Sequence, residues 1–137
     1  MPSQESFKSP ADYAGTLLHE CGHATGHKNR LNRDLTGGFG SENYAKEELR
    51  AELASVFLSE ALGIPSSETS LGNHVAYISS WVDALKGDKF EIVRASKDAE
   101  KITGYVLEKE RSHENGAKQI ENVREERIPV LAHSERR

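Results

Sequence analysis

The residues with the clearest chemical potential are two histidines four positions apart, in the segment His19-Glu20-Cys21-Gly22-His23. Residues four apart lie on one face of an α-helix, so both imidazoles can reach the same metal ion. Glu20 can accept a proton from the water that attacks a substrate at that ion. Two imidazoles and a carboxylate suit zinc, with a fourth position left for water. The segment therefore predicts a zinc site on a helix, against the competing interpretation of a structural histidine pair without metal.

A third protein ligand has to come from outside this segment. One known solution places it six residues after the second histidine, where this chain has Asn29, a poor zinc ligand. His27 is nearby, but it lies eight residues beyond His19, about 12 Å along a straight helix. His27 could share an ion with both histidines only if the helix broke sharply at Gly26, so we interpret it as a surface or supporting residue.

The other solution takes a glutamate from the next predicted helix, which contains Glu47, Glu48 and Glu52. Glu48, Ala51, Glu52 and Ser55 fall on one stripe of that helix, separate from its apolar stripe. The small residues beside the carboxylates would let this helix lie close to the histidine helix. The competing interpretation is a solvated acidic face.

Four helices are predicted to position these residues. A serine cap at Ser9, a proline in the first turn at Pro10 and an acid at Asp12 mark the start of the first. The predicted spans are about 10–25, 42–62 and 71–86, followed by a fourth helix after Asp88. The apolar stripe predicted to face the core from the first helix comprises Ala14, Leu17, Cys21 and Ala24. Trp81 is predicted to lie in the core.

The fold class predicted from these elements is mainly α: a compact helical domain with little or no β-sheet. We expect it to occupy residues 1–108. From 109 to 137, Glu, Lys and Arg dominate and apolar residues are sparse, which predicts a charged, poorly packed C-terminal extension.

Composition restricts the partners and the compartment. The net charge of −4 disfavours nucleic acid as a partner of this domain alone. No apolar run is long enough for a membrane span, and the N-terminus does not resemble a secretory signal. The single cysteine excludes a disulfide framework and favours a reducing compartment. The expected location is therefore cytoplasmic, with no membrane partner.

Two side chains on the third predicted helix could assist hydrolysis. His74 and Tyr77 share a helical face, and either could donate a hydrogen bond to the oxyanion that forms when water attacks a peptide carbonyl. The competing interpretation is a packed or exposed pair. Arg30 and Arg33, in the loop before the second helix, either contact substrate or cap the loop, and the second interpretation is favoured.

The spacing Glu48-x-x-Ala51-Glu52 resembles the E-x-x-A-D arrangement of gluzincin-type peptidases. That resemblance implies that Glu48 is the third zinc ligand and that Glu52 orients a ligand histidine. The sequence departs from the pattern by having Glu for Asp at position 52. The extra methylene leaves the roles of Glu48 and Glu52 exchangeable.

A wider resemblance covers about residues 1–107. The segments that carry it are HECGHATGH at 19–27, RLNR at 30–33, FGS at 39–41, YAKEELRAEL at 44–53 and YISSW at 77–81. They resemble the zincin-like peptidase domain of ArdC-type antirestriction proteins, which occur on plasmids, phages and other mobile elements. Members of that family usually carry an N-terminal domain that binds single-stranded DNA, so contact with nucleic acid would be expected through such a domain. Zincins also place a small β-sheet before the metal helix, and in this chain we expect that sheet to be missing or reduced.

These resemblances imply a zinc-dependent metallopeptidase domain that acts on a protein or peptide substrate in the context of antirestriction. In that interpretation His19, His23 and Glu48 bind zinc, Glu20 is the general base and Glu52 supports the site. The alternative is a metal-binding but inactive interaction module that blocks a host defence protein. A helical structural domain without metal is the third interpretation.

Overall fold

The computed structural model describes the backbone of residues 1–65 and 68–135 and the side chains of residues 1–65 and 71–124. A short 3-10 helix at Gln4–Ser6 precedes four α-helices. These are α1 (Pro10–Ala24), α2 (Glu42–Ala61), α3 (Glu68–Ala84) and α4 (Glu91–Glu135). The prediction of a mainly α domain is confirmed. Within the described residues, no helix is both long enough and apolar enough to cross a membrane.

The chain divides into two compact units, Met1–Tyr105 and Val106–Arg137. In the first unit, α2 is central and packs against both α1 and α3. In the second, the described residues from 108 to 124 are exposed, apart from the partly buried Gly116. The proposed boundary after residue 108 stays a prediction.

Serine caps fix the starts of the two helices that carry the histidines and glutamates. The Ser9 hydroxyl accepts a hydrogen bond from the backbone N–H of Asp12, and Pro10 occupies the first helical turn, as predicted. At α2, the Ser41 hydroxyl accepts from the backbone N–H of Tyr44. These caps fix where each of the two helices begins.

Most of the buried apolar residues in the core of the first unit lie on α2. Leu49 and Leu58 are fully buried on α2, and Ile102 is fully buried on α4. On the side of α2 that faces α4, Arg50 donates to Glu91 and to Asp98, at 2.6 Å in each case. This pair of ion pairs fastens the start of α4 to α2.

The predicted core face of α1 is wrong. Leu17 is 40 % exposed, and Ala24 is exposed as well. The residues of α1 that are buried are Leu18 and Gly22. The helix turns its histidine side toward α2 because the carboxylates there satisfy the imidazoles, which offsets the cost of burying polar rings.

Candidate metal centre

The two histidines of α1 stand one helical turn apart and point at α2. Their side chains are largely buried, with 18 % of His19 and 24 % of His23 exposed. The two Nε2 atoms lie 3.0 Å apart, and the rings meet edge to face. One face of α1 therefore presents two imidazole nitrogens to a single point.

Glu48 of α2 supplies a carboxylate at that same point. One of its oxygens lies 3.1 Å from His19 Nε2, and the other lies 3.0 Å from His23 Nε2. A tetrahedral zinc ion with bonds of 2.0–2.1 Å would hold its ligand atoms about 3.4 Å apart, so a small outward relaxation would fit an ion. Among the described residues, His19, His23 and Glu48 are the group whose ligand atoms converge in this way.

The Nδ1 atom of each histidine ring also has a carboxylate partner on α2. His19 Nδ1 donates to Glu52 at 2.9 Å, and His23 Nδ1 donates to Glu47 at 3.3 Å. With the Nδ1 proton held in this way, the Nε2 lone pair of a neutral ring points inward. Imidazoles that bind metal are commonly arranged so. The donor set therefore fits a divalent ion.

Arg33 and Glu47 form a clamp that the sequence did not reveal. Arg33 Nε and Nη2 bind the two Glu47 oxygens at 2.9 and 2.7 Å. The same guanidinium donates to the Thr25 hydroxyl and to the Gly22 carbonyl, both at the end of α1. The expectation that Arg33 caps the loop was correct but incomplete, because the arginine also holds the carboxylate that orients His23.

Small residues allow the close approach of the two helices, as expected from the sequence. A Cβ added at Gly22 would lie 3.3 Å from the Ala51 Cα, which is tighter than ordinary van der Waals contact. Ala51 and Ser55 are fully buried on the same stripe of α2. This contact brings the carboxylates of α2 within hydrogen-bond reach of rings on α1.

The two histidines and the three carboxylates around them form a cluster whose members shift one another's pKa: His19, His23, Glu47, Glu48 and Glu52. Burial alone would lower the pKa of His19, but hydrogen bonds to Glu48 and Glu52 outweigh it and raise that pKa to about 9. His23 behaves in the same way: burial opposes the shift, but hydrogen bonds to Glu47 and Glu48 raise its pKa to about 9. Burial would raise the pKa of Glu48, yet the two imidazoles lower it to about 2. Protons therefore compete with a metal ion for this site.

A cavity of about 360 Å³ opens beside the cluster. His19, Glu48 and Glu52 line it from α1 and α2, while His74 and Tyr77 line it from α3. His74 Nδ1 also donates to Glu52, which thus bridges His74 and His19. The two predicted oxyanion donors therefore stand beside the predicted metal ligands.

Trp81 was expected in the core, and that prediction is wrong. Its side chain is partly exposed, lines the same cavity and meets the Tyr44 ring edge-on at 5.7 Å between centroids. Burial raises the pKa of Tyr44, and the neighbouring Glu48 and Glu20 carboxylates raise it further. Tyr44 is thus a neighbour of the cluster that the sequence interpretation missed, although it lies four residues before Glu48 on α2, where helical periodicity could have placed it.

Comparison with known proteins shows the family. The model for a zincin-like metallopeptidase matches residues 1–98. The chain belongs to that family. Two proteins named DNA primase TraC from Escherichia coli are 53 % and 51 % identical over 107 residues, which is 78 % of this chain but 10 % and 7 % of theirs. The uncharacterised protein y4eC of Sinorhizobium fredii is 42 % identical over 106 residues, which is 77 % of this chain and 34 % of that protein.

The zincin-like chain also matches solved structures. The Mn(II)-bound crystal structure of antirestriction protein ArdC from plasmid R388 aligns with a TM-score of 0.60 at 41 % identity, covering 79 % of this chain and 39 % of ArdC. The metal-free structure of the same protein aligns with a TM-score of 0.58. The resemblance to ArdC-type antirestriction proteins is confirmed. The chain spans well under half the length of each of these relatives.

The remaining predicted residues of the zincin-like domain lie outside the cluster. Glu20 is exposed, and its carboxylate is close enough to Tyr44 to raise the pKa of that phenol. His27 and Asn29 follow the end of α1, where the exposed His27 ring accepts from the backbone N–H of Asn29. Arg30 is exposed and donates to the Ala24 carbonyl. The converging group of ligand atoms includes none of these four residues.

Proposed function

We propose that this chain is a metal-dependent peptidase domain that hydrolyses peptide bonds, with one zinc ion held by His19, His23 and Glu48. The observation that carries the proposal is the convergence of two Nε2 atoms and one carboxylate beside a cavity. Zinc is the ion we expect because this donor set is typical of zinc hydrolases. The Mn(II) of the ArdC structure belongs to that protein, and manganese generally binds such donors more weakly than zinc.

When bound, such an ion supplies Lewis acidity, which polarises a carbonyl oxygen and makes water nucleophilic at neutral pH. The residues of the chain supply the proton transfers. The Glu20 carboxylate would accept a proton from the attacking water and then pass it to the amide nitrogen of the departing peptide. Water is thereby added across the C–N bond, with its oxygen on the carbonyl carbon and its proton on the amine.

Two donors on α3 would stabilise the charge that develops on the carbonyl oxygen. The Tyr77 phenol and His74 both line the cavity, and Glu52 orients the His74 ring through its Nδ1. Donors that are already aimed at a developing oxyanion lower the barrier because they need no reorganisation during the reaction. We propose that one or both fill this role.

The setting we propose is antirestriction in mobile elements, because 41 % identity links this chain to antirestriction ArdC of a plasmid. The substrate would then be a protein, cleaved at a peptide bond that reaches the cavity. The second candidate is a metal-binding module without activity that blocks a host defence protein. It is favoured by one observation, that Glu20 does not line the cavity in which a substrate would lie.

The substitution Glu20→Gln separates the two candidates. In a peptidase it should lower kcat by about 10²–10⁴-fold, the usual contribution of a general base, and it should leave the metal content unchanged. The measurements are cleavage of a generic peptide mixture and elemental analysis of protein purified without chelators. A wild-type protein that binds metal and cleaves nothing would support the inactive module. Loss of the metal in Glu20→Gln would make Glu20 a ligand and refute the assignment of roles.

A further inference from the structure

The cavity beside the cluster continues along α1 away from the histidines. Asp12, Gly15, Thr16 and His19 all line it, at the spacing of one helical face. Asp12 lies seven residues before His19, which is about 10 Å along the helix axis. A residue whose carbonyl sits at the cluster could therefore direct a long side chain along α1 toward Asp12.

The charge of this end of the cavity is acidic, and no cationic side chain of the described residues pairs with it. The backbone N–H of Asp12 takes part in the helix cap, but its carboxylate makes no hydrogen bond or ion pair within the described part of the chain. No lysine or arginine is among the residues that line the cavity. The two histidines that line it, His19 and His74, are each already paired with a glutamate of α2. A negatively charged side chain would be repelled here, whereas a cation would find a carboxylate without a partner.

The walls suit the aliphatic stem of a long side chain. Trp81 and Tyr77 contribute aromatic surface, and aromatic faces attract guanidinium and ammonium groups. Gly15 leaves the floor open, since a Cβ added there would have no atom within 4 Å. The volume of about 360 Å³ lies at the lower end of the range of ligand pockets, which is about 300–1,000 Å³.

We propose that Asp12 selects an arginine or lysine side chain next to the scissile bond, so that the substrates of this site are peptides with a basic residue at that position. The inference rests on the proposed peptidase function, because the metal cluster fixes where the scissile carbonyl would lie. Trp81 contacts the stem of the basic side chain, and the open surface at Gly15 gives the stem its room.

The test uses the full chain loaded with one equivalent of zinc and a set of peptides that differ at one position. Arginine is scanned through an otherwise neutral peptide and compared with citrulline, its uncharged isostere, and with glutamate. Binding is measured by calorimetry with Glu20→Gln, so that no peptide is consumed, and cleavage is measured with the wild-type chain. Arginine should bind about 10–100-fold more tightly than citrulline in one register, the usual gain from a hydrogen bond to a charged group.

Matched variants assign the effect to the cavity. On the Glu20→Gln background, Asp12→Asn should abolish the preference for arginine, whereas Glu42→Gln should keep it. Glu42 also lies in the first turn of a helix, but it is 69 % exposed and pairs with Lys46. Gly15→Leu should lower the affinity for the arginine peptide by at least about tenfold by filling the floor, and Gly15→Ala should not. Metal content is checked in every variant.

The outcomes separate the two proposals. Equal affinities for arginine and citrulline, an arginine preference that survives Asp12→Asn, or no binding of any arginine peptide would each overturn the role of Asp12. Cleavage without an arginine preference would leave the peptidase function intact and refute the selectivity. Binding that prefers arginine, with no cleavage by the wild-type chain, would refute hydrolysis and support the acidic pocket around Asp12.

Discussion

The assignment of the third ligand can be tested with three isosteric substitutions on α2. Glu47, Glu48 and Glu52 all contact the histidines, but Glu48 alone lies against both Nε2 atoms, while the other two bind Nδ1 atoms. We therefore expect Glu48→Gln to remove a ligand. Glu47→Gln and Glu52→Gln should weaken only the orientation of a ring.

The sizes of the three effects follow from these contacts. Structural zinc sites bind with about 10–16 kcal/mol, which over four ligands is roughly 2.5–4 kcal/mol each. Glu48→Gln should then lower zinc affinity by about 100–1,000-fold. Glu47→Gln and Glu52→Gln should each cost about 10–100-fold, the usual effect of losing a partner that orients a ligand.

The assay is a zinc titration against a competing chelator at one pH. Glu42→Gln serves as the control, since it removes the same charge from α2 at a position outside the cluster. An affinity loss for Glu52→Gln or Glu47→Gln larger than that for Glu48→Gln would refute our assignment of the ligand. Near wild-type affinity in all three would refute the site itself.

Four further predictions concern protons, the clamp and the helix contact. Zinc affinity should rise with pH up to about 9, by as much as a hundredfold per unit, because both histidines must lose a proton before they bind. In the metal-free protein the protonated histidines stabilise the fold, so its melting temperature should fall as the pH rises from 6.5 through 9. The melting temperature should also fall as the pH drops from 4.5 toward 2, because Glu48 then becomes protonated. A flat profile of melting temperature from pH 6.5 to 9 would contradict this prediction. Arg33→Lys should lower the free energy of unfolding in urea by roughly 1–3 kcal/mol, because an ammonium cannot bind both Glu47 oxygens as the guanidinium does. Arg30→Lys, at an exposed position, should lower it by less than about 0.5 kcal/mol. Gly22→Val should lower the free energy of unfolding by about 1–3 kcal/mol and weaken zinc binding, because the larger side chain forces α1 away from Ala51. Gly15→Ala, the control, should instead raise the free energy of unfolding by up to about 1 kcal/mol. Equal stabilities for the two variants would show that the close approach of the helices is unimportant.

Local patterns were enough to predict much of the site. The spacing of His19 and His23 and the stripe of Glu48 and Glu52 depend only on helical periodicity, which a sequence displays directly. The caps at Ser9 and Ser41 act within a few residues of their helix starts, so the boundaries of α1 and α2 could be predicted closely. The resemblance between Glu48-x-x-Ala51-Glu52 and gluzincins then indicated which of these glutamates binds the metal and which orients a histidine.

Apart from the placement of Tyr44 beside Glu48, the features that were missed depend on contacts between elements. The buried face of α1 was assigned to its apolar side, but carboxylates on α2 made burial of the histidine side favourable. Glu47 and Arg33 are 14 residues apart and meet only because the loop folds back over the end of α1. The edge-to-face contact between the Tyr44 and Trp81 rings likewise forms only when α2 and α3 pack together. No periodicity within one helix could have shown these contacts.

The clamp divides the loop between α1 and α2 into two halves that should tolerate insertions very differently. Up to Arg33, backbone hydrogen bonds from Leu31 to Thr25 and from Arg33 to Gly26 tie the loop to the end of α1, and the guanidinium binds Glu47. An extra residue there would displace the carboxylate that orients His23. From residue 34 to 40 every residue is exposed, and Gly38 has open space around it. The chain could be lengthened near Gly38 without moving the proposed ligands, so a longer segment inserted in this turn should leave the candidate metal centre intact.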